Sequence, residues 1–359
     1  MNLTIAWWTG KRIGVLLARP SVLSMKNQYV CKRNQSTMLA EVGRFETPKV
    51  QGKYEAGQLF LHRVFGYRGV ILYPWIAKFY DLDSITDGKD KPILEETPQN
   101  EKKNTKETAM KPSSSTYYQV LIDERDYPHI WTTFPSYNFR FYHPQRAQSE
   151  AVTFLGNPED TTLYAVPGLD YVNHTDILPY ISSSEQPIEH DLFKKFLLPN
   201  QDQVPAFTAS PSLRTWHQKN HKWLELSEVI RETTDNIRVT AIPFYMGSRM
   251  VHGAKSYWWR YSIRLENMGM ESVQLKERHW RIFCLSGVLD SVKGRGVVGQ
   301  EPVLSTRQPA FQYSSHVTLP SPSGHMWGTY RLERPDGRVF DVRIPSFPLE
   351  SKEDDPITT

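Results

Sequence analysis

Gly294, Gly296 and Gly299 fit the spacing G-x-G-x-x-G, which in a dinucleotide fold closes a strand and opens a helix whose N-terminus holds pyrophosphate. Arg295 sits among them, and backbone N–H groups in such a loop can converge on an anion. These four residues are the candidate small-ligand site of the chain. The surrounding sequence argues for another role. Gln300 and Glu301 lead straight into Pro302, so no helix opens. Before the loop, Trp280, Ile282 and Cys284 alternate with Arg281 and Phe283. That period of two makes the glycines a structural turn or bulge between antiparallel strands.

Other groups with chemical potential are weaker. His217, His221 and Glu225 recur at helical spacing, but a zinc protease needs Glu directly after the first His, where Gln218 stands. A solvated helix face is expected. Asp81 and Asp83 begin a charged loop, where nothing is expected to hold two carboxylates for acid-base work. Cys284 is expected to point inward, where a thiol is inert. The sequence has no G-x-S-x-G elbow, phosphate loop or C-x-x-C. No catalytic residue, metal ligand or cofactor is expected, and the chain reads as non-enzymatic.

The elements around these residues are mostly strands. Glycines punctuate aromatic and aliphatic residues from Tyr54 to Tyr80, with a tight turn at Gly66 to Gly69 and a buried strand at Val70 to Tyr73. Tyr118, Val120 and Ile122 share one strand face. Ser210-Pro211 is an N-cap followed by proline at the first helical position, and Leu213, Trp216 and Trp223 then follow helical spacing. From Asn236 to Ile344 alternation is nearly continuous. Trp259, Tyr261, Ile263 and Leu265 oppose Arg260, Ser262, Arg264 and Glu266, and Pro335-Asp336-Gly337 turns a hairpin. Seven or so such strands suggest an antiparallel sandwich with arginine-rich outer faces.

Charge and composition add boundaries. The first forty residues hold six Lys/Arg and no acid, so removing them turns the net charge from +4 to −2. A basic, acid-free N-terminus with only a short apolar run reads as a mitochondrial transit peptide. Its loss also removes Cys31 and leaves one thiol, which suits a reducing compartment. Asp87 to Lys111 carries twelve charges, and no aromatic residue falls between Tyr80 and Tyr117, so this stretch reads as a disordered loop. Residues 41–200 carry a net charge of −5 and residues 201–359 one of +3. Neither has the basic face that phosphate contacts require, so direct nucleic-acid binding is not expected. No apolar run is long enough to span a bilayer, and a monomer is expected.

Two resemblances follow from ordered residues. Val273-Gln274-Leu275, Arg278, Trp280, Gly294 to Gly299 with Pro302, Tyr313, Ser315, Gly324, Met326, Gly328, Tyr330, Gly337, Phe340 and Ile344 to Phe347 resemble the ApaG domain, which implies a fibronectin-III-like antiparallel β-sandwich. Tyr54, Gly57-Gln58, His62, Gly66-Tyr67, Gly69-Val70, Tyr118 to Asp123 and Tyr171 to Tyr180 are similar to the YccV-like, or hemimethylated-DNA-binding, domain, which implies a small β-barrel.

The fold class is therefore mainly β, the barrel and the sandwich being joined by a short helical linker. The expected segments are a transit peptide over 1–40 and a YccV-like domain over 45–185, with a disordered loop at 84–116 and an aromatic insert at 131–145. A helical linker over 186–228, an ApaG domain over 229–350 and a disordered tail over 351–359 follow. The insert departs from the family pattern.

The two domains in this order, joined by the helix that carries Trp216 and Trp223, resemble the polymerase delta-interacting adaptors. That resemblance implies a mitochondrial matrix and nuclear protein. Its implied partners are the small subunit of DNA polymerase delta, the sliding clamp, damage-bypass polymerases and the mitochondrial Clp or Lon protease. Gln58, Leu61 and Phe65 approach a clamp-binding box, but Val64 stands at its first aromatic position. The alternative is a nucleic-acid-binding module acting through the YccV-like half.

Overall fold

The computed structural model describes residues 4–7, 40–83, 112–127, 152–156, 163–200, 204–251, 253–287 and 289–352. The transit segment apart from Thr4–Trp7 and Ala40, the loop at 84–111, the aromatic insert and the tail from 353 lie outside the described residues.

Strands of the first half are β1 (Thr4–Trp7), β2 (Ala40–Phe45), β3 (Leu59–His62), β4 (Arg68–Asp81), β5 (Ser113–Ile122), β6 (Val152–Gly156), β7 (Leu163–Pro167), β8 (Leu169–Asn173) and β9 (Ile177–Ser182). Strands β2, β9, β3, β4, β5 and β8 pair in that order. Among the described residues no ladder joins β8 to β9, so this sheet is open and not the closed barrel expected. The expected loop at 84–116 ends earlier, because Ser113 to Thr116 already pair with Phe79 to Ile76. Strand β5 is buried on both sides. Tyr118, Val120 and Ile122 join Tyr54, Phe60, Tyr67 and Ile71 in one core. Tyr117 and Leu121 face a second core with Trp75, Tyr171 and Phe196.

The expected helical linker is only partly helical. It holds a single turn α1 (Phe193–Phe196), the hairpin β10 (Leu197–Pro199) with β11 (Phe207–Ala209), and α2 (Pro211–Leu224). Helix α2 starts where Ser210 Oγ accepts from Leu213 N at 3.1 Å, with Pro211 opening the helix. Its inward residues Leu213, Trp223 and Leu224 enter the second core, while Trp216 is half-buried against Phe196 at 5.0 Å between ring centroids.

The second half holds β12 (Glu228–Thr234), β13 (Ile237–Val251), β14 (Ala254–Asn267), β15 (Val273–Cys284), β16 (Leu289–Arg295), β17 (Val303–Leu304), β18 (Ala310–Leu319), β19 (Ser323–Glu333) and β20 (Val339–Glu350). One sandwich layer is β12-β13-β14-β18, and the other is β16-β15-β19-β20 with β17 on β15. Between them lie Trp259, Tyr261, Ile263, Leu275, Trp280, Tyr330, Val342 and Phe347. At about 1.5–3 kcal/mol for each large apolar side chain buried, this core dominates the stability of the sandwich. Gly337, at φ 83°, turns β19 into β20.

The two halves share one sheet. Strand β12 pairs in parallel with β4, Glu228 opposite Lys78 through Arg231 opposite Asp81, so eleven strands from both halves are continuous. Lys78 N donates to Ser227 O and Leu82 N to Arg231 O, each at 2.9 Å.

Candidate functional site

Three places in the fold carry groups that could serve function: the glycine loop, the seam between the halves, and the outer hairpin of the sandwich. The glycine loop links β16 to β17, both antiparallel to β15. Gly296 at φ 58° and Gly299 at φ 82° take the left-handed region that glycine tolerates, and Val298 is strained there at φ 43°. Gly294 serves differently: a Cβ there would stand 3.0 Å from the Arg278 guanidinium, whose planar end lies over it.

The loop's polar groups bind one another. Gly296 N donates to Lys276 O at 2.8 Å, and Val297 and Gln300 exchange N–H to O bonds at 2.8 Å each. Arg278 Nη1 donates to the carbonyls of Arg295 at 3.2 Å and Gly296 at 2.7 Å. Arg295 itself points outward and pairs with Glu301. The arrangement presents carbonyls to a guanidinium rather than N–H groups to an anion.

A graded result follows. Gly296→Ala puts Cβ 2.2 Å from Gln300 O at positive φ, and is expected to destabilise by more than about 1 kcal/mol. Gly299→Ala meets nothing within 4 Å and carries only the φ strain, about 1 kcal/mol. Gly294→Ala needs only a flexible side chain to move. Urea unfolding of the three variants checks the order, and equal stability for Gly296→Ala and wild type would contradict it.

At the seam, several expectations are corrected. Arg260 and Arg264 share the β14 face that alternation assigned to the outside, yet they lie beneath the first half because that half covers this layer. Arg264 donates to Asp176 Oδ2 at 2.8 Å and to Glu266 Oε1 at 2.9 Å, with its guanidinium 4.9 Å from the Phe65 ring centre. Arg260 is buried, with its guanidinium 3.7 Å from the Phe244 ring centre. Gln312 donates to Asp170 Oδ1 at 2.7 Å, and Tyr171 OH to Leu224 O at 2.6 Å. Burial pushes the Asp170 carboxyl up. Burial also opposes ionisation of Asp176, but the Arg264 guanidinium beside it outweighs that and leaves the carboxyl below its ordinary value.

Asp81 and Asp83 are held too. Asp81 pairs with Arg231, and Asp83 accepts from both Thr233 N and Thr233 Oγ1 at 2.6 Å. They tie the end of β4 to β12. His217 is no solvated residue: it is buried and stacked on Tyr73 at 4.0 Å, while His221 on the next turn is exposed. Gln58 and Leu61 lie in or beside β3, and Gln58 is buried, so the near-match to a clamp box is part of the fold. The roles of Asp81, Asp83, Asp170 and Arg264 at the seam are not legible in the sequence, because the partners that hold them across it lie about 90 to 150 positions away.

Cys284 is buried, as its alternation required. Burial raises its thiol, and hydrogen bonds with Ser286 and Ser321 outweigh that effect and lower it.

The outer hairpin β15–β16 shows a different surface. Phe283, Leu285 and Leu289 are exposed at 38, 66 and 58 %. Strand β16 is the edge of its sheet, so its backbone is open on one side. Lys293 and Arg281 flank this patch. Farther across the sheet, Arg331 is neutralised by Asp341 at 3.1 Å and Glu277 at 3.6 Å. The basic character of the outer face is thus concentrated near the hairpin.

These features define a two-domain β protein in which a YccV-like half and an ApaG sandwich share one sheet. Family models agree: "Hemimethylated DNA-binding protein YccV like" matches residues 52–197 and "ApaG domain" matches residues 248–334. The chain is 53% identical to polymerase delta-interacting protein 2 of Homo sapiens, over 97% of this chain and 94% of that protein. It is 56% identical to the Mus musculus protein of the same name, over 94% and 87%. Protein ApaG of Paramagnetospirillum magneticum is 44% identical over 35% of this chain and 95% of its own. The chain belongs to the polymerase delta-interacting protein 2 family.

Proposed function

We propose that the chain is a non-enzymatic adaptor that binds the small subunit of DNA polymerase delta through a surface centred on the β15–β16 hairpin. The observation that supports this reading is similarity across both halves and the seam to proteins named for interaction with polymerase delta. The exposed apolar edge supplies the physical means. Apolar residues flanked on one side by Arg281 and Lys293 suit a partner with an acidic rim. The sliding clamp, damage-bypass polymerases and the mitochondrial Clp or Lon protease are further partners under this reading, and the protein acts in the mitochondrial matrix and the nucleus.

The full chain immobilised on resin should retain purified polymerase delta small subunit. A Leu285→Asp, Leu289→Asp double variant should retain at least about tenfold less, which is about 1.4 kcal/mol, with unchanged melting because both side chains already face solvent. Undiminished retention would remove the hairpin from the reading, and no retention by wild type would sink the adaptor. Salt-dependent retention of duplex DNA in its place would favour the nucleic-acid-binding alternative.

Targeting has its own test. The matrix form should begin about 30 to 50 residues into the sequence. Terminal sequencing of the organellar protein checks this, and a matrix form that starts at Met1 would contradict it.

A further inference from the structure

The seam contains a polar cleft of about 240 Å³ between the outer face of β12-β13-β14-β18 and the first half. Sheet register builds one wall. Arg231 lies opposite Thr240, Thr240 opposite Arg264, and Arg264 opposite Gln312, which makes one row across four strands. In the next row Arg238 lies opposite Glu266. Ser115, Tyr117, Asn173 and Asp176 contribute the facing wall from the first half.

Three arginines therefore line one small space, and their bonding is incomplete. The Nε–H groups of Arg231, Arg238 and Arg264 are buried without a hydrogen-bond acceptor among the described residues. Arg231 is otherwise engaged by Asp81, and Arg264 by Asp176 and Glu266. Arg238 makes no side-chain hydrogen bond or ion pair among the described residues. Its cross-strand neighbour Glu266 is turned to Arg264. Buried donors are nearly always satisfied, and a group of unsatisfied ones marks the position of water or an ion.

We propose that this cleft is a binding site for a small carboxylic acid, held by Arg238 with the Nε–H groups of Arg231 and Arg264 beside it. A carboxylate supplies two acceptor oxygens that match the planar fork of a guanidinium. Charge selects a monoanion. Arg231 is matched by Asp81, and Arg264 already serves both Asp176 and Glu266, so Arg238 alone is left to compensate an incoming charge, and a dianionic phosphate would meet two carboxylates with a single arginine to offset it. Size selects a small molecule, since drug-sized ligands occupy roughly 300–1,000 Å³. The occupant touches both halves at once, so it would bind the assembled chain and not a separated domain.

Titration of the full chain with sodium acetate, sodium phosphate, acetamide and sodium chloride at matched ionic strength tests the proposal. Acetate should raise the melting temperature saturably, and should shift the Nε–H signals of 15N-arginine-labelled wild type. Acetamide and chloride should do neither, and phosphate should bind more weakly than acetate. R238Q should weaken the acetate response about tenfold or more, the worth of a charge-assisted hydrogen bond. R343Q, at an exposed arginine outside the cleft, should leave it intact. Equal responses to acetate and chloride, phosphate binding more tightly than acetate, or an undiminished response in R238Q would overturn the proposal and leave a cleft filled by water. Should R238Q fail to fold, the wild-type arginine signals alone decide between these outcomes.

Discussion

Arg264→Ala is expected to destabilise the full chain by about 3–5 kcal/mol, the cost of removing one partner from a buried ion pair. The side chains of Arg264, Asp176 and Glu266 are each about 15% exposed or less, so water from the cleft beside them would replace the lost guanidinium only in part. Two carboxylates from different halves would be left facing each other across the seam. The charge carries the effect. Arg264→Met with Asp176→Asn and Glu266→Gln should recover much of the loss, because packing over Phe65 is kept and no unpaired charge remains. Arg264→Lys should recover less, since an ammonium cannot bond both carboxylates in the fork geometry. Urea unfolding at neutral pH measures all three. A loss below about 1 kcal/mol for Arg264→Ala would show an ordinary surface pair.

The position of Arg264 also shows how far the sequence could be read. Alternation correctly placed Tyr261, Ile263 and Leu265 on one side of β14 and Arg260, Ser262, Arg264 and Glu266 on the other. Periodicity reports which residues share a face, and says nothing about what covers it. A row of arginines on an antiparallel strand normally meets solvent, and here it meets the other half of the chain. Local chemistry was readable where both partners are near in sequence: the Ser210 cap on α2, the hairpin at Gly337, and a glycine loop that opens no helix. The parallel pairing of β4 with β12 joins segments about 150 residues apart, and neither strand carries a mark of its partner. Asp81 and Asp83 looked like the start of a loop for the same reason. Their ligands, Arg231 and Thr233, arrive from β12.

Acidification from pH 7 to pH 5 should cost the chain about 4 kcal/mol through two buried histidines, roughly 2 kcal/mol each. Burial pushes the His62 ring down to about 3, and Arg264 adds to that effect while Asp176 opposes it. The geometry explains why the ring stays neutral. Its Nδ1 accepts from Val64 N at 3.1 Å and Phe65 N at 3.2 Å, so a proton there would displace two backbone donors. Burial pushes His217 to about 4, with a further lowering by His221, and its Nε2 has no acceptor or donor beside it among the described residues. Both rings are harder to protonate in the fold than in the unfolded chain, where the ordinary value is about 6.5. Their contribution is therefore complete above about pH 6.5 and is lost as pH falls from there toward 4 for His217 and 3 for His62. Asp170, whose carboxyl burial pushes up, acts in the opposite direction, so the histidine effect is best read as a difference between variants. His62→Asn keeps an acceptor near the Nδ1 position and removes the titration, and His217→Gln removes the other. Each should start less stable at pH 7 and lose about 2 kcal/mol less than wild type on reaching pH 5. Urea midpoints at the two pH values give the slopes, and a slope unchanged from wild type in both variants would show that neither ring is held neutral by the fold.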